Sequence, residues 1–322
     1  MKKIAIASMI GLALFSASIT MVLIQYLLVF FFALSLTTSL AHAKTNLSEP
    51  AELLLKAQSG DTLAQGKLGD FYYLEQRYAE AIQWYEKAIK KEEGANHFHS
   101  LGALYMQGKG TTKNIQKAVN YYKKGVEHGI TMSMYNLGII YAFQKGDLSD
   151  PEEGFKLLKK AAKEGYDNAQ LNVAYLYKIG RGTPKNLDKA FRWFKKAAKQ
   201  GNTKAFYHIG SMYRKGEGVE KSNEIALKWF EKAANQDDVN SQVILATMYM
   251  NGLGALKNMS KSFEWTLKAA ENGDGDAQYN VILMYANGAG VIKDLDKAKQ
   301  WLIKAEKNKV DVSLIKKSLN FK

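Results

Sequence analysis

The 322-residue sequence contains no cysteine and only three prolines. Without cysteine the chain can form neither disulfides nor thiolate metal sites. Few prolines and abundant alanine, leucine and lysine favour an all-helical chain. The five histidines lack partners at the spacing of a zinc site, and His97 and His99 are predicted to point to different faces of one helix. We therefore predict no metal and no cofactor.

Acidic residues are outnumbered by basic ones, 31 to 45, and the formal net charge is +14 at pH 7. From Lys44 onward the lysines are spread along the chain rather than clustered, which is typical of a solvated basic surface. The other interpretation is a surface selected for acidic partners. Nucleic-acid binding would need basic residues interleaved with exposed aromatic side chains, and the aromatic residues here recur in apolar columns instead. We therefore predict no nucleic-acid partner.

No charged residue lies between Lys3 and Lys44, and the run ends in a small-x-small triplet at Ala43. This pattern predicts a signal peptide over residues 1–43 and a periplasmic or secreted protein. The apolar stretch is long for a signal, so it could instead stay uncleaved as an inner-membrane anchor with the rest of the chain outside the cytoplasm. If translation instead starts at Met21, the shorter signal has no basic n-region, and this alternative does not clearly favour export. Membrane contact is expected only through this segment, if it is retained.

Seven tyrosines recur at a spacing of 33 residues once and then 36 residues five times: Tyr72, Tyr105, Tyr141, Tyr177, Tyr213, Tyr249 and Tyr285. A period of this length predicts a solenoid of supersecondary units. In one unit, Ala205, Ile209 and Tyr213 lie on one stripe of a first helix. A Gly-x-Gly loop interrupts that helix, and a second helix around Trp229 follows.

All five tryptophans share one column: Trp84, Trp193, Trp229, Trp265 and Trp301. Four residues later every unit has a small residue: Ala88, Gly125, Ala161, Ala197, Ala233, Ala269 and Ala305. Large and small columns that face each other let helices pack closely. We therefore expect the indole rings to be buried and to contribute much of the stability.

The units share the pattern Ala-x3-Leu-Gly-x2-Tyr-x2-Gly-x-Gly, then Lys-Ala-x2-Trp-x2-Lys-Ala-Ala. The fourth unit shows its loop and second helix well, in Tyr177-Lys-Ile-Gly180-Arg-Gly182 and Lys189-Ala190-x2-Trp193-x2-Lys196-Ala197-Ala198. It resembles the Sel-one-like repeat, a relative of the tetratricopeptide repeat. The resemblance covers residues 61–309 and implies an all-α, right-handed α/α superhelical solenoid of seven helix-turn-helix repeats. Residues 44–60 and 310–322 are expected to form terminal caps, with Val312, Leu314 and Ile315 directed inward.

Motifs for catalysis are weak. The Gly-x-Gly loops follow helices rather than strands, so they do not predict a nucleotide site. Some cysteine-rich members of the family are linked to β-lactam hydrolysis, but this chain has no cysteine. Ser313 and Lys316 match a Ser-x-x-Lys element whose partner motifs are missing, which favours coincidence. We predict that the protein is not an enzyme.

In the related tetratricopeptide fold the first helices line a binding groove, and this resemblance implies candidate partner-binding residues. They are Tyr175, Lys178, Lys204, Tyr207, Arg214 and Met250. Aromatic rings beside cations suit an extended peptide or helix with acidic groups. Tyr207 recurs at the position of Tyr135 and Tyr279, so framework packing is an alternative for that column.

The expected function is therefore an exported scaffold that binds a protein or peptide through its concave groove. The family resemblance implies adaptor roles in the bacterial envelope or in host contact. Two alternatives stay open, namely a cell-wall or β-lactam-directed hydrolase and a membrane-tethered adaptor.

Overall fold

The computed structural model describes residues 51–319, and every regular element in that range is helical. The predicted signal peptide or anchor (1–43), the alternative start at Met21 and the first part of the 44–60 segment lie outside the described residues. The described residues form two compact units that divide between Tyr121 and Tyr122. No helix between residues 51 and 319 has the length and apolar character needed to cross a membrane.

The first unit contains repeat 1 and most of repeat 2. Its helices are α1 (51–58), α2 (Thr62–Leu74), α3 (Tyr78–Ala88) and α4 (His97–Gln107), and α5 (Ile115–Glu127) starts here. Helices α2 and α3 pack as a pair in which Gly69 lies against the buried ring of Tyr85. The Tyr85 hydroxyl donates a hydrogen bond to Asp70 at 2.8 Å.

The second unit contains five helix pairs and a final short helix. Its elements are α6 (Thr131–Phe143), α7 (Pro151–Lys163), α8 (Asp167–Ile179), α9 (Leu187–Lys199), α10 (Thr203–Lys215), α11 (Asn223–Ala234), α12 (Val239–Asn251), α13 (Met259–Glu271), α14 (Gly275–Asn287), α15 (Leu295–Lys307) and α16 (Ser313–Ser318). Even-numbered helices from α6 to α14 are the first helices of repeats 3–7, and odd-numbered helices are the second. The structure is thus the all-α solenoid that the period predicts.

The tryptophan column is only partly buried, which corrects the expectation that it forms the core. Trp193 and Trp229 pack against the edge of the core, each with a lysine ammonium three residues later above its ring, at 4.3 and 4.4 Å. The following residue fills the interior instead, and Phe194 and Phe230 are 0% exposed. The small-residue column is buried as expected.

The second glycine of each Gly-x-Gly loop sets the register between neighbouring repeats. Gly254 has φ 80°, and a side chain there would overlap the carbonyl oxygen of Asn223, at the start of the preceding repeat's second helix. Gly182, Gly218 and Gly290 contact the preceding second helix in the same way. The loop glycines are therefore required by contact between repeats as well as by local turn geometry.

Buried glutamines also connect neighbouring repeats. The amide nitrogen of Gln242 donates to the carbonyl oxygen of Ala234, and its side-chain oxygen accepts from Asn272 at 3.1 Å. Gln170 and Gln278 make equivalent bonds to Ala162 and Ala270. In each of these three side chains both the amide nitrogen and the amide oxygen are hydrogen-bonded, so burial costs little free energy.

The C-terminal helix α16 covers the last repeat. Val312 and Ile315 are buried in the core of α13, α14 and α15. Leu314 is 74% exposed, so the expectation that it packs inward was wrong. This six-residue helix can direct only part of its surface to the core, and Leu314 lies beside that part.

Candidate functional site

The six candidate groove residues lie on the first helices α8, α10 and α12 of the second unit. Tyr175 and Met250 are 38% and 41% exposed, which is high for large apolar side chains. Lys204 is exposed as well, whereas Lys178, Tyr207 and Arg214 are partly buried. The site is therefore a surface that three consecutive repeats contribute.

Aromatic rings run across three first helices at the centre of this surface. The Tyr175 ring centroid lies 6.2 Å from those of Phe143 on α6 and His208 on α10. Tyr207 instead packs half-buried, with its ring 6.0 Å from that of Phe230. Its position favours the framework interpretation for Tyr207 and leaves Tyr175 as the more accessible ring.

Lys178 is engaged within the protein. Its ammonium lies 2.8 Å from a carboxylate oxygen of Glu217, in the loop after α10. The hydrogen bond from Lys178 lowers the pKa of the Glu217 carboxyl. Sequence reasoning missed this pair because Glu217 belongs to the next repeat. Within residues 51–319, Lys204 forms no ion pair, so its ammonium is the more available charge.

His208 on α10 lies near both Tyr175 and Lys178. It was not predicted as part of the site. Its ring stacks on Phe194 at 4.8 Å. Burial, and then the charge of nearby Lys178, lower the pKa of His208 to about 4. Asp238 opposes this effect and Lys204 adds to it. The imidazole is therefore neutral at physiological pH, and it is an uncharged ring packed beside Tyr175 and Phe194.

We expect His208 to make folding sensitive to acid. Because its folded pKa lies below its unfolded value of roughly 6.5, its stabilising contribution is complete above pH 6.5 and is lost as the pH falls towards 4. Between pH 7 and 4.5 the free energy of unfolding should fall by about 2 kcal/mol because of His208. Urea denaturation of the wild type and of His208→Gln at both pH values measures this loss, as the difference in pH dependence between the two proteins. An equal pH dependence in both proteins would contradict the prediction.

A cavity of about 260 Å³ opens beside Met250, between α12, α13 and α14. Its wall also contains Val243, Ala246, Thr247, Met259, Ser262, Thr266, Asp276, Ala277, Asn280, Leu283, Met284 and Ala289. The lining is mainly apolar, which is typical of sites that hold an apolar group. Sequence reasoning identified Met250 but not the cavity.

The described residues hold no group of three or more His, Asp or Glu side chains arranged for a metal ion. Lys316 of the Ser-x-x-Lys element lies in α16 and donates to Glu306 at 3.0 Å.

The Sel1 repeat pattern matches seven successive segments, residues 62–92, 99–130, 131–166, 167–202, 204–238, 239–274 and 275–309. The chain belongs to the Sel1 repeat family. Sel1 repeat proteins are protein-interaction scaffolds, and the family is generally non-enzymatic.

Two solved structures are similar over most of the chain. One is a protective antigen of uropathogenic Escherichia coli that displays an SLR fold, with 30% identity and a TM-score of 0.72. The match covers 80% of this chain but 56% of the E. coli protein, so this chain spans little more than half of its length. The other is a Sel1 repeat protein from Oxalobacter formigenes, with 28% identity, a TM-score of 0.70, and coverage of 86% and 81%.

Proposed function

We propose that this Sel1 repeat protein is an exported, non-enzymatic scaffold that binds a protein partner through the first helices of repeats 4–6. The main supporting observation is the exposure of Tyr175 on α8 and Met250 on α12, with Lys204 and Arg214 on the intervening first helix α10. Large exposed apolar side chains rimmed by polar groups are typical of interaction sites.

The partner we propose is an extended peptide or a helix with acidic groups. Lys204 is exposed on α10, and the guanidinium of Arg214 lies 6.0 Å from the Phe230 ring on the same helix pair. Acidic side chains of a partner would meet these cations, while Tyr175 offers an aromatic contact.

Export is supported by the charge-free run before Lys44. The similar E. coli protein is described as a protective antigen, and such a description suits a role in the envelope or in host contact. Amino-terminal sequencing of the mature protein tests this step. A first residue of Lys44 would support cleavage. A mature chain that keeps residues 1–43 would favour the second candidate, a scaffold tethered to the membrane, because the apolar run is long enough to span it.

We expect the double variant Lys204→Glu, Arg214→Glu to weaken partner binding by about tenfold or more, because two favourable charges become repulsive. The partner is captured from the source cells with the full chain, and its affinity for each variant is then measured by calorimetry. Lys178 is left unchanged, since reversing it would place two carboxylates together.

The matched control is Lys163→Glu, Lys199→Glu, which reverses the same charge at exposed ends of the second helices α7 and α9. This control should keep wild-type affinity to within about twofold. Equal loss in both double variants would indicate a general charge effect and would argue against the proposed surface.

A further inference from the structure

The cavity beside Met250 exists because repeat 6 lacks a large side chain at an interior position. The residue after the tryptophan column is large in the other repeats: Tyr85, Tyr122, Leu158, Phe194, Phe230 and Leu302. In repeat 6 it is Thr266, which is 6% exposed. The Thr266 hydroxyl donates its proton to the carbonyl oxygen of Ser262 at 2.8 Å, within the same helix.

Repeat 5 shows what normally fills this space. The Phe230 ring lies against Gly210, where an added Cβ would be 3.0 Å from it. The equivalent residues 36 positions later, Thr266 and Ala246, both line the cavity. The cavity thus occupies the place of a phenyl ring. Its volume of about 260 Å³ exceeds the roughly 150 Å³ of apolar cavities that admit benzene.

The cavity opens onto the same surface as the candidate groove. Its deep wall is buried at Ala246, Ser262 and Thr266, whereas Met250 and Asn280 at the mouth are exposed. A side chain of a partner that lies along the first helices would therefore enter it from outside.

The mouth is also charged. Asp276 lines it, is exposed, and forms no ion pair with any residue in the range 51–319. In the part of the chain that the structure describes, no lysine, arginine or histidine lines the cavity. The mouth of the cavity is thus negatively charged, whereas Lys204 and Arg214 in repeat 5 are positive. A partner side chain that enters the cavity is therefore favoured if a positive group of the partner lies next to it.

We propose that this cavity holds one phenylalanine-sized side chain of the protein partner, with a basic group of the partner facing Asp276. The inference rests on the proposed function, because it assumes that a protein lies on the first-helix surface. It adds an anchor point and the chemistry of the anchor.

Methionine methyl resonances report on the cavity directly, because Met250, Met259 and Met284 all line it. The full chain is labelled with ¹³C-methyl methionine and titrated with phenylalaninamide, which combines a phenyl ring with an amino cation. These three methyls should shift with a dissociation constant on the order of millimolar. The methyl resonances of Met134 and Met212, which are buried away from the cavity, should not shift.

Thr266→Phe should abolish these shifts because the new ring fills the cavity. Repeat 4 already combines Ala174 with Phe194, so the same pairing of Ala246 with a phenyl ring is compatible with the fold. The control Thr266→Val keeps the cavity and should keep the shifts. Asp276→Asn should weaken phenylalaninamide about two- to fivefold and leave neutral N-acetylphenylalaninamide unchanged.

Absence of shifts at high probe concentration, or equal shifts in Thr266→Phe, would overturn the proposal. Shifts that depend on protein concentration without the probe would place a second copy in the cavity and would also overturn it. Thr266→Phe should further lower affinity for the captured partner at least tenfold. Unchanged affinity, with the Lys204 and Arg214 variant still weakened, would reject the anchor and retain the proposed function. No effect of that charge variant would reject the function itself.

Discussion

Replacing Phe230 with alanine is expected to lower the free energy of unfolding by about 3–5 kcal/mol. The Phe230 side chain is fully buried, and its ring lies against Gly210 on the facing helix. Alanine would leave a cavity that rigid helix pairs on both sides cannot close. Urea denaturation followed by far-ultraviolet circular dichroism measures the loss.

Trp229→Ala is the matched comparison, because it removes a larger side chain one residue earlier. Its indole is only partly buried, and Lys232 covers the outer face of the ring. We expect a smaller loss of about 1–2 kcal/mol, from partial burial and the cation–π contact. If Trp229→Ala destabilises the chain as much as Phe230→Ala, the tryptophan column is the true core and our assignment is wrong.

Gly254→Ala is expected to lower the free energy of unfolding by more than about 3 kcal/mol. Its positive φ costs an alanine about 1–2 kcal/mol, and the added methyl group would also overlap the backbone at Asn223. Relieving this overlap requires repeat 6 to shift relative to the preceding second helix. Denaturation in urea gives the value.

Gly252→Ala separates the two contributions. Gly252 has a φ of 70°, similar to that of Gly254, but its nearest atom to an added Cβ is 3.4 Å away, in ordinary contact. Only the conformational cost of about 1–2 kcal/mol should appear. Similar losses in both variants would show that the contact between repeats does not set the register.

The sequence predicts most of the fold because its periodicity is a direct record of repeated packing. The tyrosine spacing and the small-residue column locate each helix pair, and the structure confirms both. The prediction that the tryptophans are buried was wrong because a second column of bulky residues follows them with the same period, as Phe230 follows Trp229. Periodicity alone does not decide which of two neighbours faces the interior, and the lysine three residues later stabilises the outward one.

The candidate site was less predictable, because it depends on contacts between repeats. The Lys178–Glu217 pair joins a helix to the loop of the next repeat, and the low pKa of His208 arises from burial between helices. Neither leaves a local motif. The cavity, by contrast, has a signal in the sequence, since Thr266 breaks a column of large residues. Comparing the repeats residue by residue finds it.

Site-specific photo-crosslinking tests the proposed binding surface most directly. A photoreactive phenylalanine analogue replaces Tyr175 or Met250 on the first helices, or Lys163 or Lys199 on the second helices, in the full chain. After illumination with the captured partner, we expect covalent adducts from the first two positions and none from the other two. Adducts confined to the second-helix positions would contradict the account.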